Sequence, residues 1–221
     1  MTLSPHIEKL LAEVSSKPRQ RGNLIFALDA TASRERTWDT ASQLQASMFL
    51  EVVGIGGLDL QLVYFRGMRG VNAECKASPW ISDPVALARM MAKIKCETGY
   101  TQIERVLCHA SRETSQRKIG AVVYVGDACE EERGVLVRSA RELGDRGIPV
   151  FMFQEGRDQE ARARFQEIAE LTHGAYHSFD QGSAKLLGEL LKAVAAFAVG
   201  GVLALERQGS DAAKRLLGQI R

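Results

Sequence analysis

What the 221-residue chain lacks narrows its class quickly. No charge-free run approaches the ~20 residues that span a bilayer. The longest apolar stretch near the end, Ala193 to Leu205, follows Lys192 and is expected as a buried helix broken at Gly200-Gly201, not as a membrane contact. The four cysteines, Cys75, Cys96, Cys108 and Cys129, form no C-x-x-C pair, which excludes a zinc knuckle and a thioredoxin-type motif. Met1 to Gln20 carries no apolar signal-peptide core, so a cytoplasmic location with four free thiols is the expectation. Basic and acidic residues nearly cancel, 29 against 27, leaving no electrostatic case for nucleic acid or an anionic membrane surface. Internal repeats and low-complexity tracts are absent. The glycines of Gly54-Ile55-Gly56-Gly57 follow a helical pattern rather than a strand, so they are no dinucleotide fingerprint.

What remains is the composition of an ordinary soluble globular domain, 45% hydrophobic and 25% charged. Buried-strand patterns alternate with helical ones. Apolar runs ending at Leu28, Val125 and Phe153 read as central strands, Leu58 to Phe65 as another, Val71 to Lys76 as a polar edge strand and Ala175 to Phe179 as a short last strand. Helical spacing marks Trp38 to Val53, Asp83 to Lys95, Ile103 to Ala110, Glu130 to Asp145, Asp158 to Thr172 and Ser183 to Val199. Alternation of this kind calls for a largely parallel sheet covered by helices on both faces, an α/β class. The expected layout is an N-terminal helix and linker over 1–22, one domain over 23–199 and a C-terminal helix or tail over 200–221.

The run Leu24-Ile25-Phe26-Ala27-Leu28 delivers Asp29, Thr31 and Ser33 to the C-terminal end of its strand. Sites in open α/β sheets form there, and three oxygen side chains can hold a hard cation such as Mg²⁺. A plain polar cap on the following helix explains the same residues equally well. A second apolar run ends Val125-Gly126-Asp127, and the loop Thr98-Gly99-Tyr100-Thr101 opens a helix between them. If the two strands are neighbours, Asp29 and Asp127 share a rim, where bare carboxylates repel unless a proton or a cation intervenes.

These three loops, in this order, resemble the von Willebrand factor A (VWA) domain family with its metal-ion-dependent adhesion site (MIDAS), in a bacterial-type cytoplasmic form. Asp29-Ala30-Thr31-Ala32-Ser33 is similar to the family's Asp-x-Ser-x-Ser loop, with Thr in place of one Ser. Gly99-Tyr100-Thr101 stands for the second loop, with Tyr replacing a glycine, and Gly126-Asp127-Ala128 for the third. Gly147-Ile148-Pro149-Val150 and His173-Gly174-Ala175-Tyr176 resemble the fifth-strand lead-in and the stretch near the sixth strand. The resemblance implies a Rossmann-like three-layer sandwich with a six-stranded sheet, mostly parallel with one antiparallel edge strand. It also implies a divalent cation, usually Mg²⁺ with Mn²⁺ or Ca²⁺ as substitutes, held by Asp29, Thr31, Ser33, Thr101 and Asp127 directly or through water. The implied function is non-enzymatic: a protein partner completes the coordination with a Glu or Asp. Arg34, Arg36 and Tyr100 are then candidates for the partner-binding rim. A left-handed backbone at position 100 would conflict with Tyr.

Two alternatives stand beside this reading. One is a haloacid dehalogenase-like, Mg²⁺-dependent phosphatase with Asp29 as nucleophile; its usual Asp-x-Asp would need a second carboxylate where Thr31 stands. The other is a metal-free structural VWA-fold subunit of a larger assembly. Glu130, Glu131 and Glu132 read as an acidic helix start that complements the dipole. His173, His177 and the pair Cys108-His109 read as packing or surface residues.

Overall fold

The structure, a computed structural model, describes residues 21–34, 57–68, 72–180 and 184–220. The expected helix over Trp38 to Val53 and the expected N-terminal helix therefore lie outside the described residues. Six strands are present: β1 (Gly22–Asp29), β2 (Leu58–Arg66), β3 (Glu74–Ala77), β4 (Ala121–Gly126), β5 (Val150–Glu155) and β6 (Ala175–Phe179). The helices among the described residues are α1 (Pro84–Met91), α2 (Ile103–Glu113), α3 (Arg133–Asp145), α4 (Gln159–Leu171), α5 (Ala184–Gln208) and α6 (Asp211–Leu217), with a short 3₁₀ turn at Ala32–Arg34.

The continuous apolar runs form the middle of the sheet because both of their faces are covered. In β1, Leu24, Phe26 and Leu28 face one hydrophobic cluster and Ile25 and Ala27 face the other. The first cluster brings α1, α5 and α6 against the sheet through residues such as Leu87, Leu190 and Leu216. The second brings α2, α3 and α4 through Val106, Leu136 and Phe165. A strand buried on both faces needs no polar alternation, which is why β1, β4 and β5 read as runs.

The sheet order is β3-β2-β1-β4-β5-β6. All neighbouring pairs are parallel except β2–β3, so the architecture is the expected Rossmann-like sandwich with one antiparallel edge strand. The order runs outward from β1 in one direction and from β4 in the other. The β1–β4 junction is thus the switch point, where the loops leaving two adjacent strands part and open a crevice.

Two local outcomes differ from the sequence pattern, and a third chooses between its alternatives. Helix α1 stops at Met91, short of Lys95, and the chain continues in turns closed by Lys93 N–H to Met90 O and Ile94 N–H to Met91 O. Helix α3 begins at Arg133 rather than Glu130, leaving the glutamates outside it. Of the two forms expected beyond Val199, helix or tail, the described chain takes the helix. Helix α5 continues past a kink where Gly201 takes φ 64°, ψ −155°, a conformation that only glycine adopts without strain. Helix α6 then lays Ala212, Ala213 and Leu216 into the first cluster. Gln219 Oε1 accepts the Tyr176 N–H at 2.9 Å, so the same segment covers part of the β6 edge. The segment Lys185–Gln208 is long and apolar enough to cross a membrane, but half of its apolar window is buried inside the protein.

Because Leu216 is fully buried, Leu216→Ala should lower unfolding free energy by about 2–5 kcal/mol, measured by urea denaturation. A dangling C-terminal segment would leave the midpoint unchanged.

Candidate cation site at the strand ends

Asp29 is the last residue of β1 and is fully buried. Its Oδ1 accepts the Thr31 N–H at 2.8 Å, an Asx-type turn that fixes the carboxylate against its own loop. The loop itself is held in extended form on both sides. Ala30 donates to Phe65 O at 3.0 Å, and the Glu97 N–H donates to Ala30 O at 3.0 Å. Thr31 is nearly buried and its hydroxyl lies 3.2 Å from that of Ser33, which is exposed in the 3₁₀ turn.

The second loop is pinned to the end of β2. Tyr100 N–H donates to Gly67 O at 3.3 Å, and Gln102 Nε2 donates to Arg66 O at 2.9 Å. A Cβ on Gly99 would lie 2.5 Å from Gly67 N, so glycine is required here by close approach of two backbones. Tyr100 needs no glycine. His173 is the only non-glycine residue with positive φ among the described residues, so the feared conflict at position 100 does not arise. The Tyr100 ring is 44% exposed at the rim.

Thr101 is buried, and its loop is clasped to the chain after β4 from both sides. The Thr101 N–H donates to Glu130 Oε2, and the Glu130 N–H donates to Thr101 Oγ1, each at 3.0 Å. Thr101 Oγ1 keeps a second lone pair for another interaction. Glu131 reaches farther and accepts the N–H groups of Ile103 and Glu104, the latter at 3.0 Å. It therefore caps α2, whose own N-cap residue Gln102 makes no side-chain cap bond. While Glu132 stays at the N-cap position of α3, the expectation that these glutamates serve their own helix is corrected here for Glu130 and Glu131. Their charge sits at the start of the neighbouring helix, where the orphan N–H groups and the dipole favour it. The sequence held a decoy for this role: Thr101-x-x-Glu104 has the form of a capping box, but the Thr101 hydroxyl is taken by Glu130.

Asp127 follows β4 and is partly buried, and its Oδ1 is enclosed with no hydrogen-bond partner among the described residues. Leu28 pairs with Val125 across β1 and β4, so Asp29 and Asp127 leave adjacent strands at the same end of the sheet. The structure thus places Asp29, Thr31, Ser33, Thr101 and Asp127 on one rim. Of the three candidate rim residues, Tyr100 is exposed there. The Arg34 backbone closes the 3₁₀ turn, and Arg36 lies outside the described residues.

The donor set is hard: carboxylates and hydroxyls, without a nitrogen or sulfur ligand. Among the described residues, no three His, Cys, Asp or Glu side chains come together as a metal site; the candidate set has two carboxylates, and its other oxygens are hydroxyls. An enclosed carboxylate oxygen without a donor, beside a second buried carboxylate, suits a small oxygen-seeking cation. Other reactive-looking groups are occupied elsewhere. Cys108 Sγ donates to Glu104 Oε1 at 3.1 Å, while His109 Nε2 faces Gln61 Oε1 at 2.7 Å. Cys129 is buried, which pushes its thiol up to about 11. His173 and His177 do not converge; the latter ring lies 3.1 Å from Gln219 Nε2.

Neither protein-family models nor curated proteins match this sequence. Solved structures do resemble it. An aerotolerance-related membrane protein from Bacteroides fragilis superposes with a TM-score of 0.60 at 21% identity, over 79% of this chain and 98% of that one. A von Willebrand factor type A protein from Catenulispora acidiphila gives 0.64 at 15% identity, over 82% of this chain and 43% of that one. Proximal thread matrix protein 1 from the mussel byssus, whose structure has a zinc-occupied MIDAS motif, gives 0.61 at 15% identity, over 88% of this chain and 51% of that one. The chain spans about half or less of the latter two. At these identities the likeness establishes a VWA fold.

Two outcomes check the local account. Removing the α2 cap with Glu131→Ala should cost about 1–3 kcal/mol in chemical denaturation, with loss of stability but not of fold. With its thiol at about 11, Cys129 is thiolate in only about one molecule in a thousand at pH 8. Alkylation followed by mass spectrometry should leave it unmodified in the native protein and modify it after unfolding.

Proposed function

We propose that this chain is a protein-interaction module whose rim binds a divalent cation, Mg²⁺ in the first instance, through Asp29, Thr31, Ser33, Thr101 and Asp127. The observation that carries this reading is the arrangement at the switch point. Two carboxylates leave adjacent buried strands, one with an enclosed and unpartnered oxygen, and three hydroxyls come from loops that the backbone holds in place. Two carboxylates offset the charge of one divalent ion, and the neutral hydroxyls leave it electrophilic. Mg²⁺ takes six oxygens at about 2.1 Å and keeps its waters reluctantly. A position left to water then suits a Glu or Asp from a protein partner. The mussel protein's zinc-occupied MIDAS motif supports the fold's capacity to hold a divalent ion at such a motif.

The donor chemistry favours binding over catalysis. None of the five residues is a His, Cys or Lys that would serve as a base or nucleophile. A hydroxyl stands at Thr31 where a phosphoryl-transfer enzyme would place its general acid. A cytoplasmic setting within a larger assembly fits the near-neutral charge. Tyr100, exposed beside Thr101, belongs to the surface that the partner would cover.

Isothermal titration with Mg²⁺ tests the reading. Wild type and Thr31→Ser should bind, while Asp29→Ala and Thr31→Val should lose measurable binding. Equal affinity in all four would show that these residues are not ligands. Hydrolysis of an aryl phosphate that disappears in Asp29→Asn would instead establish a phosphatase.

A further inference from the structure

Strand β4, Ala-Val-Val-Tyr-Val-Gly, is aliphatic except for Tyr124. The side chain is 1% exposed, and its hydroxyl is enclosed with no hydrogen-bond partner among the described residues. Phe65 stacks on the ring at 6.0 Å between centroids, and Phe165 meets it edge-on at 5.3 Å. Packing alone would be served better by phenylalanine, because a buried hydroxyl left unbonded is costly. The hydroxyl therefore calls for an explanation beyond the core.

Its position supplies one. A Cβ on Gly126 would lie 2.7 Å from the Tyr124 hydroxyl oxygen and 3.0 Å from Cζ. The phenol thus fills the space that the glycine leaves, and its oxygen comes up under the last residue before Asp127. The residue opposite Tyr124 in β1 is Ala27, also small, and Asp29 follows two positions later on the same face. Burial holds the phenol well above its ordinary pKa, and the nearby carboxylates of Asp29, Glu131 and Asp127 act in the same direction. The group is a neutral O–H donor with carboxylates nearby but none within hydrogen-bond distance.

We propose that Tyr124 is a positioning residue of the cation site: its hydroxyl, without an acceptor among the described residues, lies under the rim beside Gly126 and donates to the Asp127 carboxylate when that carboxylate turns to the ion. The proposal rests on the cation reading given above. Gly126 gains a role in it as well: it admits the phenol to the rim.

The test is isothermal titration with Mg²⁺ on wild type and Tyr124→Phe, with melting temperatures measured without added cation. Tyr124→Phe keeps the ring contacts, so its cation-free melting temperature should be no lower than wild type. Its dissociation constant for Mg²⁺ should rise about tenfold, the scale of a hydrogen bond to a charged acceptor. Wild-type binding with equal affinity in Tyr124→Phe overturns the Tyr124 role and leaves the cation site standing. No binding to wild type overturns both. A second readout uses the phenol itself: in a Tyr100→Phe background, Mg²⁺ should perturb the tyrosine ultraviolet spectrum. That perturbation should vanish when Tyr124 is also Phe, and its survival would overturn the proposal.

Discussion

Two carboxylates at the ends of neighbouring buried strands set the terms for everything around them. Asp29 is fully enclosed and Asp127 presents an enclosed oxygen without a donor. Charges of one sign in such a place are costly unless something of opposite sign joins them. The surrounding structure keeps them there regardless. The Asx turn to Thr31, the bonds from Ala30 to Phe65 and from Glu97 to Ala30, and the Thr101–Glu130 clasp fix three loops around one point. Loops held in place around two acids on one rim are what the proposed cation site would need.

The fold was legible because its central strands are buried on both faces. Leu24 to Leu28, Ile119 to Val125 and Ile148 to Phe153 could only be strands of a covered sheet, and Asp158 and Gly174 punctuated α4 at the expected places. The candidate ligands were legible because each sits directly after a strand or before a helix. Contacts between distant segments were not legible. Glu131 caps a helix that begins 28 residues earlier, at Ile103, and no local pattern announces a cap supplied from another loop. Gly99 reads as a residue that allows close backbone approach, but the segment it approaches, at Gly67, is not legible from its own loop. The charged surface of Asp211 to Leu217 hid a buried stripe of Ala212, Ala213 and Leu216, too short to register as a helical period.

The donor chemistry of the rim is the ground for proposing binding rather than catalysis. A hydroxyl at Thr31 keeps the count of carboxylates at two, which matches a divalent ion without over-neutralising it. Glu130 and Glu131 lie close by, yet their carboxylates are spent on backbone N–H groups of the second loop and of α2. The acidic residues of this region therefore divide into two classes, those that hold the loops and those that face the site. In the proposed reading, this division would leave a bound ion open toward a partner's acid.

The most direct measurement of the central claim is the melting temperature of wild type and Asp127→Asn, each with Mg²⁺ and with a chelator. If a cation relieves the paired carboxylates, Mg²⁺ raises the wild-type melting temperature, as any ligand that binds only the folded state must. In Asp127→Asn, the neutral amide relieves the repulsion itself, so the chelated protein melts higher than chelated wild type and no longer responds to Mg²⁺. A wild-type melting temperature identical with Mg²⁺ and with chelator would contradict the account.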